Sequence, residues 1–108
     1  MFETITYQDS SGNKPYADWL GNLTDKQAKA RILVRVNRMA AGNFGDCKPL
    51  RDGVQELRID YGPGYRVYLS KQGPVVVLLL CGGDKSDQSR DIERAIAFLK
   101  DWKQRGKP

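Results

Sequence analysis

The fold of this chain is decided by residues 54–85, which read V-Q-E-L-R-I-D-Y-G-P-G-Y-R-V-Y-L-S-K-Q-G-P-V-V-V-L-L-L-C-G-G-D-K. Residues 55–60 and 65–70 alternate polar and apolar side chains, which is the period of a β-strand. Residues 61–64 between them, Y-G-P-G, have the composition of a hairpin turn. The unbroken apolar run at residues 75–81 predicts a central strand that is covered on both sides.

The register of the predicted hairpin follows from where its apolar side chains must point. The apolar rows of the two strands can share a core only if Arg58 stands opposite Arg66 and Glu56 stands opposite Tyr68. A slip by one residue would turn Arg66 into the apolar core, which is costly for a charged group. We therefore expect four side chains to form one cluster on an open polar face, while the other face is buried: Glu56, Arg58, Arg66 and Tyr68.

The N-terminal half predicts one strand and two helices. Residues 2–7 alternate and are rich in Thr, Ile and aromatic side chains, as strands are. Apolar side chains at helical spacing predict a short helix over residues 16–23, with Asn13 as its cap. A second helix should begin with a capping box at Thr24 and end near Gly42. Its basic side chains share one face, which is either solvated or a binding surface: Arg31, Arg35 and Arg38.

The remaining segments complete the sheet and predict a last helix. Residues 47–51 allow a short strand, and the charged, glycine-rich loop at residues 82–85 leads into an amphipathic helix. Residues 103–108 are expected to fray. The order strand, two helices, antiparallel strands, helix predicts an α+β fold in which the helices pack on a twisted, mainly antiparallel sheet. At this length, residues 1–108 are expected to form a single domain.

Composition restricts the chemistry that the chain can perform. The 108 residues include no His, which excludes Ser-His and Cys-His catalysis and histidine-zinc sites. The carboxylates show no special clustering, so neither a metal nor another cofactor is expected. Cys47 and Cys81 lack a C-x-x-C spacing, and no secretory signal or apolar run of membrane-spanning length is visible. We therefore expect reduced thiols, a cytoplasmic location and no membrane partner.

The net charge of +5 is unevenly distributed. Residues 1–25 carry −3, residues 26–71 carry +6 and residues 72–108 carry +2. A basic middle segment favours a polyanionic partner that is contacted from one side. The same distribution is also compatible with a surface that only maintains solubility.

The predicted polar cluster has the parts needed to cleave a phosphodiester. Arg58 and Arg66 carry bidentate forks that can offset the negative charge of the transition state. Glu56 can act as the base for a ribose 2′-hydroxyl, and Lys85 can add a third cation or protonate the leaving oxygen. Tyr68 can stack on a base or donate to the phosphate. Glutamate and arginine on a sheet face also form ordinary cross-strand ion pairs, so spacing alone leaves both interpretations open.

Two motifs carry a resemblance to a known family, E-L-R-I-D-Y-G-P-G-Y-R-V-Y at residues 56–68 and L-L-L-C-G-G-D-K-S-D-Q-S-R-D-I at residues 78–92. They resemble the addiction-module killer proteins of the HigB-like branch of the RelE/ParE toxin superfamily. The likeness extends over nearly the whole chain. It implies a RelE/ParE-like fold and the toxin of a type II toxin–antitoxin system. RelE-like members cleave mRNA on the ribosome, which inhibits translation.

The resemblance also implies roles for individual residues. Arg66 falls where these ribonucleases keep a phosphate-binding arginine, while Glu56 and Arg58 fall on the preceding strand, where catalytic groups occur. Lys85 ends the last strand, where many relatives have Arg or His. Several members place a His or Tyr beyond that strand, and the chain has no His, so Lys85 or Tyr68 would have to serve as the acid. RNA or ribosome contacts are expected from five residues: Arg31, Arg35, Arg38, Lys48 and Arg51.

The implied partners are the ribosome with its mRNA and a cognate helix-turn-helix antitoxin. Operator DNA would be contacted only through that antitoxin. Two other functions stay open at this point. The chain can be a ParE-like toxin that binds DNA gyrase without enzymatic activity, or an inactive module that only binds the antitoxin.

Overall fold

Five strands form one mixed sheet in the computed structural model, which describes residues 1–106. In chain order they are β1 (Glu3–Thr6), β2 (Cys47–Pro49), β3 (Gln55–Ile59), β4 (Tyr65–Gln72) and β5 (Val76–Asp84). Their order in the sheet is β1-β5-β4-β3-β2, with β1 parallel to β5 and every other neighbouring pair antiparallel. The predicted α+β class is confirmed, and so is the mainly antiparallel sheet.

Three helices cover the two faces of this sheet. They are α1 (Pro15–Asn22), α2 (Lys26–Ala40) and α3 (Gln88–Gln104), and a short 3-10 turn, Lys85–Asp87, precedes α3. Helices α1 and α2 pack on one face and α3 packs on the other, so the sheet separates two apolar cores. None of the helices within residues 1–106 has the length and apolarity needed to cross a membrane.

The helix ends differ from the prediction in three places. Asp25, not Thr24, caps α2, because its carboxylate accepts the N–H groups of the second and third helical residues at 3.0 and 3.1 Å. Helix α1 has no side-chain cap, and Asn13 instead donates its N–H to Asp9. Fraying does not reach residues 103 and 104, which belong to α3, whereas residues 107 and 108 lie outside the described part of the chain.

The hairpin register is confirmed. Arg58 stands opposite Arg66 and Glu56 opposite Tyr68, with Leu57 between them pointing to the core under α1 and α2. The expectation of an open polar face is wrong, since Glu56 is 1% exposed and Tyr68 is fully buried. Strand β5 explains the difference: its continuous apolar run has side chains on both faces of the sheet, so both faces need a cover. Helix α3 supplies the second cover.

Two glycines at the end of β5 let helices approach from both sides. A Cβ at Gly82 would overlap the ring of Trp19 in α1, and a Cβ at Gly83 would overlap the carboxylate of Asp91 in α3. Each helix therefore packs directly on the backbone of β5. This close packing holds the end of β5, which Lys85 follows directly.

Candidate functional site

The candidate site is a groove at the turn end of the β3–β4 hairpin, with a volume of about 370 Å³. Three cations line it, namely Arg58 from β3, Arg66 from β4 and Lys85 from the 3-10 turn. Two acids, Asp46 and Asp60, line it as well. Arg66 pairs with Gly83 in the sheet, and this pairing brings Lys85, two residues further on, to the same end. We call this feature the hairpin groove.

Glu56 holds Arg66 from inside the protein. The side chain of Arg66 is 13% exposed, and its Nε lies 3.0 Å from Oε1 of Glu56. The N–H is not directed at that oxygen, so the contact is an ion pair without an aligned hydrogen bond. Gln88, the first residue of α3, donates Nε2 to the same oxygen at 2.7 Å. Protein groups therefore surround the Glu56 carboxylate and keep it from the surface of the groove.

Tyr68 is enclosed beside this ion pair. Its hydroxyl finds no hydrogen-bond partner among residues 1–106. Burial raises the pKa of the phenol, and the nearby carboxylate of Glu56 raises it further, so the ring stays neutral. Because the ring is fully buried, it presents no face to a nucleobase and no donor to a phosphate. The structure therefore contradicts the contact with RNA expected of Tyr68.

Arg58 turns towards Asp46 instead of joining Glu56. Its Nε and Nη2 both donate to Oδ1 of Asp46, at 3.0 and 2.8 Å. The side chain of Arg58 is 40% exposed, so one side of its guanidinium remains accessible. Sequence reasoning missed Asp46 because the turn-rich segment at residues 43–53 has no period from which a register can be derived. The expected cluster of four is thus an enclosed group of Glu56, Arg66 and Tyr68 with Arg58 outside it.

A second groove of about 580 Å³ runs between α2 and the end of β3, and we call it the helix groove. Ile59 and Asp60 line both grooves, so the two adjoin. Its arginines come from the face of α2 that the helical spacing predicted: Arg31, Arg35 and Arg38. Ala30 and Val34 contribute apolar surface.

The three arginines of the helix groove are not equivalent. Arg35 donates to main-chain carbonyls, including those of Phe44 at 3.2 Å and Asp46 at 3.4 Å, and also that of Arg58. These carbonyls occupy its fork, and the RNA contact expected of Arg35 stays a prediction. Arg31 lies 4.6 Å above the ring of Tyr61 and is exposed, as is Arg38. Two of the three side chains can therefore meet an anion.

The other two expected RNA contacts lie away from both grooves. Lys48 is an exposed residue of β2 that stands opposite Glu56 in the sheet. Arg51 donates to Glu93 of α3 at 2.7 Å and pairs with Asp52 at 3.3 Å. Neither residue lines the hairpin groove or the helix groove. The structure thus divides the five expected contacts between different surfaces.

Comparison with known proteins identifies a bacterial relative. No family model matches the chain. A protein of Haemophilus influenzae (strain Rd) is 55% identical to it over 80 residues, which cover 74% of this chain and 81% of that protein. The description of the Haemophilus protein is "uncharacterized protein", so it names no activity. At this identity and coverage, the two chains share one fold.

Proposed function

We propose a function on the premise that this chain belongs to the family of that Haemophilus influenzae protein. It is the toxin of a type II toxin–antitoxin pair, with a RelE/ParE-like fold, and it cleaves mRNA on the ribosome. The observation that carries the proposal is the convergence of Arg58, Arg66 and Lys85 on the hairpin groove. The likeness of two sequence motifs to HigB-like killer proteins supports the same function independently.

The arginines supply the electrostatic part of the reaction. Negative charge builds on the phosphoryl oxygens as a phosphodiester is cleaved, and fixed donors aimed at these oxygens lower the barrier. Glu56, itself bonded to Gln88, holds Arg66 in one orientation, so little rearrangement is needed when the phosphate binds. Arg58 offers a second fork on the opposite strand.

The bond changes follow from the arrangement of the ribose and phosphate. The ribose O2′ attacks the adjacent phosphorus, the O2′–P bond forms, and the P–O5′ bond breaks to leave a 2′,3′-cyclic phosphate and a 5′-hydroxyl. Lys85, exposed at the rim of the groove, donates the proton that O5′ requires. Glu56 is enclosed, so it positions Arg66 instead of acting as the base. The 2′-hydroxyl proton passes to water or to the ribosomal complex.

The surrounding charge fits the proposed partners. Arg31 and Arg38 extend the positive surface from the hairpin groove along the helix groove, where the ribosome and its mRNA can be contacted. Such contacts with phosphates weaken steeply as the salt concentration rises. The proposal places the protein in the cytoplasm, where a helix-turn-helix antitoxin neutralises it and links it to operator DNA.

The enclosed positions of Glu56 and Tyr68 favour one second candidate. With both groups withdrawn from the surface, the cations of the hairpin groove can serve as contacts for DNA gyrase in a toxin without nuclease activity. The ParE-like members of the superfamily are toxins of this kind.

Ribosome-programmed mRNA cleavage tests the proposal. Arg58→Ala and Lys85→Ala alter exposed residues, and each should lower the cleavage rate by about a hundredfold if the groove stabilises the transition state. Lys100→Ala, an exposed lysine on α3 outside the hairpin groove, is the matched control and should cleave normally. Arg66→Lys keeps the charge but removes the fork, so we expect a loss there too.

Two outcomes would contradict the nuclease. Equal cleavage by the unsubstituted chain and the groove variants would remove the hairpin groove as the active site. Growth arrest without any cleavage would favour the gyrase-binding function. Circular dichroism of every variant confirms that the fold is retained.

A further inference from the structure

The hairpin groove already contains an anion that belongs to the protein. Asp46 accepts two N–H groups of Arg58 through a single carboxylate oxygen. These are the groups that a bidentate phosphate would use. Arg58 is thus only partly available to a ligand in the free protein.

Asp46 is held in place by its own backbone. Its carbonyl accepts the N–H of Arg58 at 2.9 Å and a guanidinium N–H of Arg35 at 3.4 Å. Arg35 also donates to the carbonyl of Phe44, and it packs on Gly45, where a Cβ would lie 3.2 Å from Nη2. Surface ion pairs ordinarily contribute little because two long side chains must be ordered. Here the anchored loop has already ordered the acid.

We propose that Asp46 is an autoinhibitory residue that competes with phosphate for Arg58. An anion that enters the hairpin groove must displace the Asp46 carboxylate before it can engage the Arg58 fork. A ligand that makes further contacts with the protein, such as ribosome-bound RNA, remains bound despite this competition. The inference rests on the proposed function, since it takes the hairpin groove as the site of an RNA phosphate.

The groove offers a control for the charge itself. Asp60 also lines the hairpin groove and is exposed, but it forms no ion pair within residues 1–106. Asp46→Asn and Asp60→Asn remove the same charge from the same groove, and only the first takes away the charged partner of Arg58. Asp46→Glu keeps a carboxylate within reach of Arg58. The side chain of Asp46 is 51% exposed, so none of its substitutions opens a cavity.

The test is a titration of the full chain with inorganic phosphate, in which the NMR signal of the Arg58 Nε–H reports binding. Asp46→Asn should bind phosphate about fivefold more tightly than the unsubstituted chain, because the competing pair is gone. Asp60→Asn should change the affinity by less than about twofold, because Asp60 pairs with none of the donors that the phosphate uses. Asp46→Glu should stay near the unsubstituted value.

Three results would overturn the inference. Equal gains in the two asparagine variants would mean that only total charge matters. Weaker binding by Asp46→Asn would mean that Asp46 orients Arg58 for the ligand. No phosphate binding in any variant would mean that the groove is not an anion site. The cleavage assay tests the nuclease proposal separately. Ribosome-dependent cleavage can be absent while Asp46 still competes with phosphate for Arg58.

Discussion

The two faces of the sheet enclose different chemistry. The core under α1 and α2 consists of apolar and aromatic side chains, whereas the buried carboxylates and the buried serine within residues 1–106 lie on the α3 side: Glu56, Ser70 and Asp91. An apolar core stabilises by removing surface from water. A buried ion pair gives up most of its attraction to desolvation and contributes mainly a fixed geometry. Both faces hold an apolar core that maintains the fold, and the α3 face in addition encloses the polar groups behind the candidate site.

Neighbouring residues of β3 allow the largest test of this contrast. Leu57→Ala removes a fully buried side chain from the apolar face and should cost about 2–5 kcal/mol of unfolding free energy. Glu56→Ala leaves Arg66 enclosed without its carboxylate and should cost about 3–5 kcal/mol. Urea unfolding measures both values.

The stability lost in Glu56→Ala should be recoverable by a second substitution at Arg66. Replacing the ion pair as a whole, with Glu56→Leu and Arg66→Met together, should restore most of the stability, because no charge then remains buried. A loss below about 1 kcal/mol for Glu56→Ala would instead place Arg66 in solvent, as is usual for surface pairs. In that case the α3 face would not enclose a buried ion pair.

The glycines of β5 give the next largest effect. Gly83→Ala would push a methyl group into the carboxylate of Asp91, and Gly82→Ala would push one into the ring of Trp19. Overpacking of this kind costs about 1–3 kcal/mol. Adding Asp91→Ala to Gly83→Ala should recover part of the loss, and a double-mutant cycle from urea unfolding measures the coupling. Additive losses in that cycle would mean that the two groups do not meet.

The alternation of polar and apolar side chains explains why the hairpin could be predicted from the sequence. The alternation in β3 and β4 admits one register that keeps Arg66 away from the apolar core, and that register is the one observed. Alternation reports which side chains share a face, but not what lies over that face. The cover on Glu56 and Tyr68 depends on where α3 docks, and its helical period does not specify the docking site.

The pairing of Arg58 was beyond sequence reasoning for another reason. Its partner, Asp46, comes from a turn-rich segment that is placed by contacts distant in sequence, above all the bonds from Arg35 to main-chain carbonyls. The same contacts occupy the fork of Arg35, which helical spacing alone grouped with Arg31 and Arg38. Spacing therefore located the cations correctly and left their partners undetermined.

Two buried tyrosines on the α3 side provide a smaller test. The hydroxyl of Tyr68 has no partner among the described residues, so Tyr68→Phe should be neutral or stabilise by up to about 1 kcal/mol. The hydroxyl of Tyr7 donates to Asp101 at 2.6 Å, so Tyr7→Phe should cost about 1 kcal/mol. Urea unfolding compares them. A clear loss in Tyr68→Phe would show that its hydroxyl is hydrogen-bonded in solution.

The smallest expected effect is a difference in how stability depends on pH at the two ends of α3. Burial raises the pKa of Asp91 above 3.8, partly offset by Arg94, so its contribution to stability is complete below 3.8 and is lost as the pH rises through the folded value. Hydrogen bonds from Tyr7 and Arg105 hold the pKa of Asp101 below 3.8, so its contribution is present above 3.8 and is lost as the pH falls through the folded value.

Asparagine variants of these two residues should therefore respond to pH in opposite directions. Relative to the unsubstituted chain, Asp91→Asn should become more stable as the pH rises from 3.8 towards neutrality. The buried Asp91 carboxyl must then ionise at a cost in stability, whereas asparagine does not ionise. Asp101→Asn should lose relative stability as the pH rises through the range below 3.8, where the native carboxylate gains its two donors. Urea unfolding across this pH range measures both slopes, and carboxyl ¹³C titration should place Asp91 above Asp101. Parallel slopes would mean that the Asp91 carboxylate is solvated, and the contrast between the enclosed polar groups of the α3 face and its exposed end would then disappear.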